Sequence, residues 1–90
     1  MNKVELIAAV AKKTGLSKGE SAAGVNAMVD LVSDALGRNE KVTITGFGSF
    51  DVGLRQARRG VNPHSQQPLE IPQLRLPRFR AGKALRQLVK

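Results

Sequence analysis

Ninety residues with 15 Lys and Arg against 7 Asp and Glu carry a net charge of +8 and a pI near 11.0, so one small domain with an anionic partner is the expectation. The absence of cysteine excludes a disulfide framework, and with a single histidine it excludes every familiar zinc spacing. The longest apolar run, Leu6 to Ala11, is far shorter than the ~20 residues a bilayer demands, so no membrane span is expected. Lys3 with the following Ala9-Val10-Ala11 superficially mimics an export signal, but Glu5 interrupts it and the segment is too short. We read it as a helix of the mature chain in a cytoplasmic protein.

Asn2 is the expected N-cap of that helix, and Glu5 three residues on completes a reciprocal capping box. Leu6, Ile7, Val10 and Ala11 form an apolar stripe that runs to Thr14-Gly15, where glycine can end the helix in the left-handed conformation. Ser17-Lys18-Gly19-Glu20 is a second capping box. Its helix spaces Ala22, Val25, Val29, Val32 and Leu36 by three and four residues, and Met28, Leu31 and Ala35 widen the stripe. An ordinary helix packed on a sheet is one reading. A chain this small buries only about 60–65% of its unfolded surface, and without disulfides the wide stripe favours packing against a second copy.

Val42 and Ile44 alternate with Thr43 and Thr45, as in a half-buried strand. Gly46-Phe47-Gly48 turns the chain, and Phe50, Val52 and Leu54 continue the pattern in the second strand of a hairpin. Phe47, Phe50 and Phe79, with Val29, Val32 and Leu36, are the expected shared core of a homodimer; a base-stacking platform is the other reading of the three rings, but each sits in a core-facing pattern. Residues 55–73 lose the core pattern and support two readings: a disordered loop, or a protruding two-stranded ribbon with Asn62-Pro63 near its tip. Strand-like sequence on both sides favours the ribbon. About nine extended residues a side would project roughly 30 Å, enough to follow a DNA groove, and such a ribbon would stay mobile until bound. Leu74, Leu76 and Phe79 are expected to return the chain to the core, with Pro77 marking an edge or a bulge, and Lys83 to Val89 to form a short closing helix.

Charge is unevenly divided: residues 1–50 carry a net +1 and residues 51–90 a net +7. The second half is mostly arginine, whose planar donor fork suits phosphate oxygens and base edges, which favours nucleic acid over a membrane surface.

In order and spacing, Met1-Asn2-Lys3, Gly46-Phe47-Gly48-Ser49-Phe50, Arg58-Arg59-Gly60-Val61-Asn62-Pro63 and Phe79-Arg80-Ala81-Gly82-Lys83-Ala84-Leu85 resemble the bacterial HU and integration host factor family of DNA-bending proteins. The resemblance covers essentially the whole chain and is closest to HU. It implies an α+β fold with two N-terminal helices, a three-stranded antiparallel sheet with a long β-ribbon arm, and a short C-terminal helix in an intertwined homodimer. Residues 1–90 would be one domain, with 1–54 and 74–90 as dimerisation body and 55–73 as arm. By the same resemblance Pro63, beside Asn62, is the wedge that enters a base step. Arg55, Arg58, Arg59 and Arg75 lie along the minor groove, and Lys3, Arg80, Lys83 and Arg86 hold flanking DNA. A turn proline and a solvated basic face are the plainer readings of these residues; Lys18 and Arg78 read more readily as surface charge. The sequence departs from the family pattern at Val61, where arginine is usual, and at Gln66, where glycine is common at the tip. His64 beside the wedge reads as an exposed bystander.

No catalytic constellation is present, so an enzyme, a cofactor, a metal and a small-molecule substrate are not expected. The function implied is that of a histone-like, nucleoid-associated protein. It binds double-stranded DNA through the minor groove with little sequence specificity, bending and compacting it. An integration-host-factor-like subunit that bends specific sites is the alternative. A basic scaffold or anionic-membrane-surface protein is a remoter one, since its cations would mark one face of an amphipathic helix.

Overall fold

The computed structural model describes residues 1–56, 58–61 and 68–90, with side chains described outside 57–71. Helices α1 (Lys3–Thr14) and α2 (Lys18–Gly37) are followed by strands β1 (Val42–Ile44), β2 (Gly48–Arg55), β3 (Arg58–Val61), β4 (Pro68–Ile71) and β5 (Leu74–Ala81), and by helix α3 (Lys83–Leu88). The chain forms two compact units, Met1–Asp34 and Ala35–Lys90.

In the first unit, local sequence sets the helix ends. Asn2 Oδ1 accepts the Glu5 N–H at 2.9 Å, as an N-cap should. Among the described residues the expected reciprocal bond from Asn2 N–H to the Glu5 carboxylate is not formed; that carboxylate stands 4.0 Å from the N-terminal ammonium, both groups exposed. The second box closes in both directions. Glu20 N–H donates to Ser17 Oγ at 3.0 Å, and Ser17 N–H donates to Glu20 Oε1 at 3.2 Å. Gly15, at φ +77°, ends α1 with its N–H on Ala11 O.

In the second unit, α2 ends in a Schellman arrangement. Asn39 takes the left-handed conformation at φ +60°, with Asn39 N–H on Leu36 O and Glu40 N–H on Ala35 O. Strands β1, β2 and β5 form an antiparallel sheet in that order, and β3 pairs antiparallel with β4 in a separate two-stranded ribbon. Pairing from Arg58↔Ile71 to Val61↔Pro68 favours the ribbon over the loop reading. Between β1 and β2, Phe47 N–H closes on Ile44 O, and Gly46 supplies the positive φ of +84° that a type II turn needs at its third position.

The β2–β5 register is continuous from Gly48↔Ala81 to Arg55↔Leu74. Pro77 therefore marks an edge strand and no bulge. Parity corrects one expectation. Leu74 and Leu76 share a face with Asp51 and Gly53, whereas Phe79 lies on the other face opposite Phe50, because side chains alternate along a strand. The three cannot return to one core.

Phe79 is the centre of an aromatic group, its ring 5.3 Å from Phe47 and 4.8 Å from Phe50 by centroids. Gly48 makes that packing possible, since a Cβ there would fall 2.5 Å from Arg80 O and 2.7 Å from the Phe79 ring. Yet Phe47 and Phe79 remain exposed, as do Met28, Val29 and Leu31, and among the described residues Ala35 is the one buried hydrophobic side chain. A single copy leaves its apolar faces open.

Candidate nucleic-acid interface

The sheet separates two kinds of surface. Directly opposed residues share a face. One face therefore takes Val42, Ile44, Phe50, Val52, Leu54, Pro77 and Phe79, while the other takes Ser49, Asp51, Arg55, Leu76, Arg78 and Arg80. Arg55, Arg78 and Arg80 are exposed there. The cationic surface continues in sequence into α3, where Lys83 opens the helix and Arg86 lies three residues on, on the same side and exposed.

Arg75, expected along the groove on the return strand, lies on the sheet face opposite to that of Arg55. It opposes Leu54, on the apolar face, and its Nη2 donates to Leu36 O at 3.5 Å and Gly37 O at 3.4 Å. Those are carbonyls of the last turn of α2, which carry partial negative charge, and Leu36 O also accepts the Asn39 N–H. The separation follows from numbering: with Arg55 paired to Leu74, the next residue of β5 must point the other way.

Asp51 and Arg78 form a contact that sequence reading passed over. Arg78 Nε donates to Oδ1 at 2.8 Å and Nη2 to Oδ2 at 3.3 Å, while Arg80 Nε stands 3.5 Å from Oδ2. The Arg78 hydrogen bond, with the charges of Arg78, Arg80 and Lys41, holds the Asp51 carboxyl below its ordinary range, and Asp51 raises Arg78 in return. The available signal was an isolated acid in a strongly basic half. Recognising its partner required the strand register.

Lys3 is exposed in the first turn of α1, in the other unit. Arg58 and Arg59 are placed on β3 by their backbone alone, and Asn62 and Pro63, with His64 and Gln66, lie outside the described residues. Among the described residues no group of three or more His, Cys, Asp or Glu could hold a metal, and no helix is long and apolar enough to cross a membrane.

Comparison with known proteins supplies the class. The bacterial DNA-binding protein family matches residues 1–90. DNA-binding protein HU of Geobacillus stearothermophilus is 47% identical, over 100% of both chains. The SPbeta prophage-derived DNA-binding protein HU 2 of Bacillus subtilis is 49% identical, over 100% of this chain and 98% of that one. Among solved structures, an Anabaena HU–DNA cocrystal structure aligns with a TM-score of 0.88 at 43% identity, covering 99% of this chain and 97% of that chain. The chain belongs to the bacterial DNA-binding protein family, the HU-type family that its own motifs resemble. This is an architectural family rather than an enzymatic one.

Proposed function

We propose that the protein is a homodimeric, nucleoid-associated architectural protein that grips double-stranded DNA through the minor groove with little base specificity, bending and compacting it. The observation that carries this reading is the near-complete match, in length and fold, to an HU solved together with DNA. Two features of the chain support it independently: a second half of net charge +7, and apolar faces that one copy leaves open.

In this reading residues 1–54 and 74–90 form the dimerisation body, with Val29, Val32, Leu36, Phe47, Phe50 and Phe79 in the shared interior, and 55–73 form the arm. Arg55, Arg58, Arg59 and Asn62 follow the groove, Pro63 is the wedge at a base step, and Lys3, Arg80, Lys83 and Arg86 hold flanking phosphates. Wedge insertion by apolar side chains is a known route to bent DNA, with HU-type proteins themselves among its type examples. Minor-groove edges distinguish mainly A·T from G·C, so deformability rather than base identity sets preference. Arg75 takes a structural part at the end of α2.

The test is duplex binding across salt, with the mass in solution measured alongside. Affinity should fall about a thousandfold between roughly 50 and 200 mM salt, as several phosphate contacts require. A flat salt response would contradict the reading.

A further inference from the structure

The polar face of the β2–β5 sheet places one carboxylate beneath two guanidinium groups. Asp51 opposes Arg78 directly and Arg80 diagonally. The Asp51 side chain is 16% exposed, against 46% for Arg78 and 61% for Arg80, so the anion sits low and the cations stand above it. Arg78 reaches it through Nε and Nη2, leaving the N–H donors of Nη1 unengaged by the carboxylate. Arg80 approaches through Nε as well.

Gly53 completes the arrangement. A Cβ at that position would lie 3.0 Å from Cδ, Nε and Nη1 of Arg78. The bare backbone thus gives the arginine room to lie across β2 and meet Asp51 side-on. Carboxylate, bare glycine and two arginines on one face form a small device for fixing guanidinium orientation.

We propose that Asp51 is a positioning residue for DNA phosphate, holding Arg78 and Arg80 as a paired clasp that takes a backbone phosphate on the body of the protein. This deepens the DNA-binding reading and rests on it. Two effects of Asp51 oppose each other. As a bare charge it repels phosphate; as an orienting partner it removes much of the ordering that two long side chains would otherwise undergo on binding. The bidentate geometry and low exposure of the carboxylate favour the second.

The sign of one substitution decides between them. Duplex affinity by fluorescence anisotropy, near physiological salt, is expected to be about three- to tenfold weaker for Asp51→Asn, despite its added positive charge. The loss should vanish when Asp51→Asn is introduced into Arg78→Gln/Arg80→Gln. Arg78→Gln alone should lower the salt slope by about one per protomer. Gly53→Ala keeps every charge and crowds Arg78, so it should weaken binding in the same direction and serves as the test should Asp51→Asn fail to fold. Equal or tighter binding by Asp51→Asn, an undiminished loss in the arginine-free background, or unchanged binding by Gly53→Ala overturns the proposal. Wild-type protein that binds no duplex would instead overturn the DNA-binding reading, and the clasp with it.

Discussion

Ser21 is 1% exposed, and its buried hydroxyl has no hydrogen-bond partner among the described residues. Burying an unpaired hydroxyl costs about 1–3 kcal/mol, and alanine is the better helix former, so Ser21→Ala should stabilise the protein by about 1 kcal/mol in urea unfolding. Destabilisation would mean that the hydroxyl has a partner. Two carboxylates are expected to contribute to the acid limb of stability. Glu20 is held below its ordinary range by the Ser17 backbone N–H and then the Ser17 hydroxyl, and Asp51 by Arg78 with help from Arg80 and Lys41. A lowered folded-state pKa gives stability that is present above the unfolded value, about 4 for carboxylates, and lost as pH falls through the folded value. Glu20→Gln and Asp51→Asn should each flatten the stability profile below about pH 4, read by thermal melts across pH; an unchanged acid limb would contradict the cited bonds. At this scale the sequence was readable where partners lie within four residues, as at Ser17 and Glu20. It was not readable for Asp51 and Arg78, 27 residues apart, whose meeting depends on register.

Among elements, β5 shows what periodicity can and cannot supply. The helices and the β1–β2 hairpin were legible because their apolar spacing repeats over several residues. In β5 the apolar residues Leu74, Leu76 and Phe79 break parity, so no single face follows from pattern, and pairing with β2 decides which side chains join the aromatic group. That pairing also sends Arg75 to the end of α2. The close approach at Gly48 gives this scale its sharpest prediction. Gly48→Ala would force a Cβ against Arg80 O and the Phe79 ring, and overpacking of this kind costs about 1–3 kcal/mol. Denaturant unfolding should show that loss without a change in slope; a neutral variant would contradict the packing.

For the molecule as a whole, composition was the most informative part of the sequence. The basic second half pointed to an anionic polymer, and the wide α2 stripe pointed to a second copy. The wedge at Pro63 rests on motif resemblance, because it lies outside the described residues. With Val29 51% exposed and Phe79 42% exposed in one copy, folding and pairing should be a single event. The melting temperature should then rise with protein concentration, as mass action requires of an obligate dimer. A concentration-independent melt with a monomeric mass would contradict it. The most direct measurement of the central claim is energy transfer between dyes at the two ends of a short duplex, titrated with the protein and with Pro63→Ala. The account predicts that the ends draw together at two chains per bent duplex, and that Pro63→Ala reduces this approach more than it reduces binding. Saturated binding with the ends no closer than in free DNA would contradict it.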